Sequence, residues 1–403
     1  MKRTLHWAAR LMMAALLLAG CEKLDDKLED YPDSGENREP ATVSLDELAE
    51  LFAEVPFGTQ QMEEVYEAVL ASADNGYDEE YTLRNLFAAP GSGVGEDKLE
   101  TKSPLRSYSV PMKDLLEQTV RDRAARTKAA GGEPLDADAY LRALQDSDAQ
   151  IYWPYFENWE GDVLPVITFD PGDNSSNNVG YRLVGEGEDR HVEKVNVTEE
   201  MAMETPVWVI NRNDDAAYTT LQVLRKNDPD WGQGGSVTVK GDADGDGDKT
   251  LFIRDFKMIR NYDCWFAGAS EFFIKAGKVE DFHASTEAEL RLYNPAITDF
   301  MLVCRRRWRG QIIHVNTVLV SQWTSQLDKI AFMVIEDDGG SMTSWKCSAV
   351  VKYNSKSYGL ELEIPFRRYD DIVWRGQLTG YYLAKYNNQR SRFGDVEISF
   401  SLE

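Results

Sequence analysis

The chain has 403 residues, 69 acidic against 44 basic, and a formal net charge of −25. So acidic a chain is repelled by nucleic-acid phosphates, which excludes nucleic acid as a partner. Hydrophobic residues at 42% and aromatics at 11% exclude a wholly disordered protein, and the length gives room for two or three domains with their own cores.

The chain opens with Lys2, Arg3 and Arg10, then an apolar run over 11–18, then Leu18-Ala19-Gly20-Cys21. A positive start, an apolar run too short to span a bilayer and small residues before a cysteine are the parts of a cleaved export signal. The stretch resembles a bacterial lipoprotein signal with its lipobox. The resemblance implies removal of residues 1–20, lipid modification of Cys21 and attachment to a membrane through that lipid. Losing Lys2, Arg3 and Arg10 leaves the mature chain still more acidic. Over 21–42, Glu22, Asp25, Asp26, Glu29 and Asp30 are followed by Pro, Ser, Asn and Gly, with almost nothing to bury. Such a segment is expected to be a disordered tether, spanning on the order of 25 Å. Acid directly behind the cysteine is similar to the surface-export signal of Bacteroidota lipoproteins, which implies an outer-membrane anchor facing the cell surface. The alternative is a solvated spacer on the periplasmic side.

Residues 43–150 are expected to form a helical domain. Ser44 and Glu47 have capping-box spacing ahead of Leu45, Leu48, Leu51 and Phe52. A second helix is expected from about Thr59, with Met62, Val65, Tyr66, Val69 and Leu70 on one face. A third follows Asp78 and ends near Pro90, ahead of a Gly-rich loop at 91–97. A long helix from about 111 is stopped by Gly131-Gly132, and a last one runs from Asp136 to Leu144.

After residue 150 the period changes. Apolar runs at 163–169 and 206–210 have turn residues at both ends, and 151–260 reads as a β-rich middle region. Further strands are expected at 236–240, 250–257, 271–275, 289–292, 300–305, 311–320, 330–335, 348–353, 360–364, 379–385 and 396–401. The fold class is therefore α+β and multidomain, with helices first and an antiparallel β-sandwich over 261–403. A strand over 330–335 ending in Glu336-Asp337-Asp338-Gly339, together with Tyr369-Asp370-Asp371, resembles C2-like sandwiches. That resemblance implies acidic loops gathered at one end of the domain around calcium.

Calcium is the one cofactor these residues point to. Asp242, Asp244, Asp246 and Asp248 alternate with Gly and Ala, and Gly247 supplies the tight bend, as in the first half of an EF-type loop. The twelfth position is Ile253 rather than Glu, so the shell needs another segment. Asp337, Asp338, Asp370 and Asp371 form a second metal candidate beside Glu336, against a reading as ordinary turn residues. Tyr152, Trp153, Tyr155 and Trp159 are ligand-binding candidates, as flat rings that could stack on a glycan, against a reading as a hydrophobic plug between regions. Arg305-Arg306-Arg307-Trp308-Arg309 is the only basic cluster; it could hold a carboxylate ligand or dock the acidic helical region, with a guanidinium on Trp308.

No Gly-x-Ser-x-Gly, His-Glu-x-x-His or Walker loop occurs in the sequence. Beyond the leader, His191, His283 and His314 are widely spaced. Cys264, Cys304 and Cys347 have no metal or redox spacing and are expected as buried free thiols, the alternative being one disulfide that leaves an odd thiol. The leading reading is a non-catalytic binding or scaffolding module on a lipid anchor, stabilised by calcium, with a glycan or another envelope protein as its partner. One alternative is a carboxylate-dependent hydrolase acting on a glycan or envelope polymer. Another is a subunit of a surface assembly.

Overall fold

The computed structural model describes residues 43–88, 108–131, 135–185, 191–214, 218–233, 249–278, 285–291, 296–323 and 327–403. Cys21, the tether, the loop at 91–97, the strand expected at 236–240, Asp242, Asp244, Asp246, Asp248 and His283 lie outside them. The described fold is α+β. No described helix is long and apolar enough to cross a membrane.

The first unit sets helices against a sheet. Helix α1 (Leu45–Glu54) buries Leu48, Leu51 and Phe52 on one face. Its start is where the capping box puts it, but the Ser44 hydroxyl donates to Asp46 rather than accepting from the helix. Helix α2 (Thr59–Asp74) buries Met62, Val65 and Val69. The expected third helix is split. Glu80–Thr82 is strand β1, and only Leu83–Phe87 is helix α3, started by the Thr82 hydroxyl accepting from Asn85 N–H. Helices α4 (Met112–Ala129) and α5 (Ala137–Gln145) follow, the second capped by Asp136.

Strands β2 (Ala149–Tyr152), β3 (Val166–Phe169), β4 (Asn177–Val184), β5 (His191–Thr198) and β6 (Val207–Arg212) complete a sheet of order β1-β2-β6-β3-β4-β5. Its pairs are antiparallel except β3 with β6. Helix α6 (Glu199–Glu204) lies between β5 and β6. One core joins Leu48, Phe52, Val65 and Leu116 from the helices to Ile151, Ile167 and Trp208 from the sheet. The helices thus bury their apolar stripes on strands of the 151–260 region, which covers one face of that sheet.

The second unit is the β-sandwich. Helix α7 (Leu221–Asn227) leads into β7 (Lys249–Met258) and β8 (Ser270–Lys278). Beyond them lie α8 (Glu287–Arg291), β9 (Ala296–Cys304), β10 (Ile313–Trp323), β11 (Leu327–Glu336), β12 (Met342–Tyr353), β13 (Lys356–Arg367), β14 (Asp371–Thr379), α9 (Gly380–Lys385), β15 (Arg390–Phe393) and β16 (Val396–Leu402). One sheet has order β10-β7-β16-β15; the other runs β13-β12-β11-β8-β9, with β14 also paired to β11. Alternate residues such as Ile253, Ile274, Phe332 and Ile398 meet between the two sheets. The β12–β13 hairpin pairs with only the start of β11 and adds a further core from Trp345, Leu362 and Ile364 with Phe273 and Met333.

Two expected strands are helices. Over 289–291, the described part of the strand expected at 289–292, the Thr286 hydroxyl accepts from Glu289 N–H while the Glu289 carboxylate accepts from Ser285 and Thr286 N–H, a capping box that opens α8. At 379–385, the Thr379 hydroxyl accepts from Tyr382 N–H and starts α9.

A candidate metal centre at the joint between the two units

The loop between β7 and β8 joins the units. Trp265 and Phe266 are buried among Tyr152, Val166, Val197, Val207 and Val209 of the first sheet. The Trp265 indole donates to the Ser176 carbonyl at 3.0 Å, and the Asn211 amide donates to the Phe266 carbonyl at 3.2 Å. At the loop's end Ala269 N–H donates to Asp78 Oδ2 at 3.0 Å. Gly268 has φ +146°, and a Cβ there would lie 2.7 Å from the same Asp78 oxygen, so glycine is required.

The basic cluster holds the joint from the other side. Residues 306–308 form a single 3₁₀ turn rather than extended strand. Arg305 and Arg307 both reach Glu157 Oε1 at 3.0 Å, and Arg305 lies 3.9 Å from buried Glu79 while stacking on Trp308. Arg306 grips Glu199 with two nitrogens, at 2.8 and 3.3 Å, and donates to the Asp263 carbonyl at 2.9 Å. Tyr155, whose hydroxyl donates to the same Glu199 at 2.8 Å, is held at φ +59°. A bulky residue in that region is strained, and the hydrogen bond helps fix it there. The cluster therefore docks within the chain, but its carboxylate partners Glu157 and Glu199 lie in the 151–260 region, and of the helical stretch it meets the Ala73 carbonyl and Glu79.

Among the described residues, one group of acids has the spacing of a cation site. Ligand oxygens of Asp263, Glu271 and Glu336 lie within 4.8 Å of one another. Three elements bring them together: Asp263 in the joint loop, Glu271 at the start of β8, and Glu336 at the end of β11, opposite Phe272. Glu336 is 0% exposed and Glu271 4%. No N–H or hydroxyl donor reaches either Glu336 oxygen, whose one close polar partner is the Asp263 carboxyl, and Asp263 Oδ2 is likewise buried without such a donor. Burial, then the nearby Asp263 carboxyl, pushes Glu336 up to about 12. Burial and the surrounding acids Asp214, Asp263, Asp78 and Glu336 also raise Glu271. Three carboxylates so close cannot all ionise in a buried site without a cation or protons to offset the repulsion. The group could hold a metal ion, and an all-oxygen donor set suits a hard cation.

The acids expected from sequence are placed beside this group. The loops carrying Asp337, Asp338, Asp370 and Asp371 do meet, since Asp370 accepts from Asp338 N–H at 3.2 Å and from Arg367 N–H at 2.6 Å. Asp337 accepts from Gly339 N–H at 3.1 Å, and partial burial with the Asp337 contact raises Asp370 to about 7. Asp371 lies opposite Glu336 in the β11–β14 register. Asp337 thus bonds its own turn and Asp370 ties the two loops together, while the close group is built from Glu336 and two acids not singled out beforehand. Glu271 and Glu336 did carry a signal, as carboxylates at the ends of otherwise apolar strands. Asp263 carried none, because the loop's path is a tertiary fact.

The aromatic candidates divide. Tyr152 and Trp153, 0% and 1% exposed, offer no ring face to a glycan and are core residues. Trp153 packs on Trp208, Tyr66 and Trp159, with ring centres 5.6–6.0 Å apart. Tyr155 and Trp159 are half-buried at the same place. This is the plug arrangement. His314 Nδ1 lies 2.8 Å from Asp255, whose other oxygen accepts from the Ser399 hydroxyl at 2.9 Å. The carboxylate sits between serine and imidazole, the wrong order for imidazole to activate the hydroxyl. Glu271 and Glu336 are buried, whereas the carboxyl pair of a glycosidase must flank its sugar. Cys304 and Cys347 are buried free thiols and Cys264 is a half-buried one.

No protein-family model, curated protein or solved structure matches the chain.

Proposed function

We propose that this chain is a lipid-anchored cell-envelope protein, displayed at the surface through Cys21, that serves as a non-catalytic binding or scaffolding module stabilised by calcium. The observation that carries the calcium reading is the buried group of Asp263, Glu271 and Glu336, with both Glu336 oxygens lacking an N–H or hydroxyl donor. Calcium accepts irregular shells of six to eight oxygens, whereas magnesium demands near-octahedral geometry and keeps its waters. Two of the three carboxyls, Glu271 and Glu336, are buried, which supports a structural ion over one that must admit a substrate. The lipid anchor rests on the Leu18-Ala19-Gly20-Cys21 motif.

Equilibrium dialysis of the full chain carrying Cys21→Ser tests the ion. The expected result is one calcium per chain at the joint, lost in Glu336→Gln and kept when Asp244 and Asp246 are both changed to Ala. No calcium bound at millimolar concentration, or binding unaffected by Glu336→Gln, contradicts the assignment. Mass spectrometry of the wild-type chain from bacterial envelopes tests the anchor: an acylated amino-terminal Cys21 is expected, and an unmodified cysteine would remove it.

A further inference from the structure

The two ends of the joint loop are themselves members of the acidic group. Asp263 and Glu271 are eight positions apart in sequence, yet their oxygens lie within 4.8 Å of each other and of Glu336. Between them run Trp265 and Phe266, which insert into the first sheet, and Ala269, which holds Asp78 of the first unit. The Asp263 carbonyl is also the acceptor for Arg306, whose guanidinium grips Glu199 of the first unit. Without a cation the three groups stay close only by holding protons; a divalent cation replaces those protons and draws the loop's two ends together and onto β11. Glu336 gives that cation an anchor, since it is wholly buried and neither oxygen has an N–H or hydroxyl donor, only the neighbouring Asp263 carboxyl.

We infer that a divalent cation cinches the neck of the 263–271 loop and thereby sets how firmly the sandwich grips the first unit. The inference rests on the calcium reading above and adds that the ion regulates the joint rather than stiffening the molecule uniformly. Asp78 is a positioning residue in this scheme, carrying the effect across the joint through Ala269 N–H.

Hydrogen exchange of the full chain carrying Cys21→Ser, in calcium and in chelator, tests it. At a calcium concentration ten times the dissociation constant, opening of a segment that must release the ion is suppressed about tenfold. Amides over 264–270 and 78–80 are therefore expected to slow about tenfold, while those of the β12–β13 hairpin keep their rates. In Glu336→Gln, which keeps the shape and loses the charge, calcium should leave the same amides unchanged. Asp78→Asn, which keeps an acceptor for Ala269, should bind calcium but show a smaller effect at 78–80. If calcium binds by dialysis and exchange is unchanged, or slows equally over the whole chain, the cinch is wrong while the ion site stands. If calcium does not bind and exchange is unchanged, both readings fail.

Discussion

Single residues at the joint carry burdens that their types alone do not announce. Gly268 is the clearest, since an added Cβ meets a carboxylate on a neighbouring unit and positive φ opposes any side chain. Gly268→Ala is expected to cost about 1–3 kcal/mol, measured by denaturant unfolding, and a neutral effect would refute the requirement. Glu64 is a second case, away from the joint. Its carboxylate accepts from Met112 N–H at 2.7 Å, yet burial raises it from 4.5 to about 7. The folded state therefore holds this proton more tightly than the unfolded chain does. Its contribution is fully present below pH 4.5, is lost as pH rises towards about 7, and is constant above that. Glu64→Gln keeps an acceptor and removes the charge. Its gain in melting temperature over wild type should be larger at pH 8 than at pH 5; equal gains would contradict the assignment.

At the scale of elements, the docking turn at 305–309 ties the units by buried ion pairs. Arg306 has 9% of its side chain exposed and binds both Glu199 and the Asp263 carbonyl. Removing one partner leaves the other buried and unpaired, so Arg306→Met is expected to destabilise by about 3–5 kcal/mol. Pairing it with Glu199→Gln should recover part of that loss in a double-mutant cycle, and additive losses would deny the coupling. Elements of this molecule were legible in sequence where a local signal existed. The helical stripe Leu48, Leu51 and Phe52, the long helix stopped by Gly131 and the apolar strand over 330–335 all form where expected. The misreadings at α8 and α9 have local causes too, since Thr286 with Glu289, and Thr379 alone, cap helices that strand propensity obscured. Strands β4 and β5 were missed although Val179, Tyr181 and Leu183 alternate along the first and Val195 and Val197 along the second, because their burial is shallow and the alternation is short and broken by Gly180 and by the polar start of β5. The acidic group was only half legible: Glu336 was in view, whereas Asp263 and Glu271 reach it through the loop's long-range packing.

At the scale of the whole molecule, the helix-covered sheet of the first unit meets the two-sheet sandwich of the second, and the loop that plugs one unit into the other begins and ends in carboxylates. The account joins these facts through one ion that offsets their repulsion and closes the joint. A thermal melt of the full chain carrying Cys21→Ser, in calcium, in magnesium and in chelator, tests this most directly when run beside Glu336→Gln. Calcium at a hundred times its dissociation constant stabilises by about 2.7 kcal/mol, which for a chain of this length raises the melting temperature by about 3–4 °C. The account predicts that rise for calcium and not for magnesium. It also predicts that Glu336→Gln melts above the parent in chelator and does not respond to calcium. A parent that melts identically with and without millimolar calcium, or a Glu336→Gln chain that still responds, would contradict it.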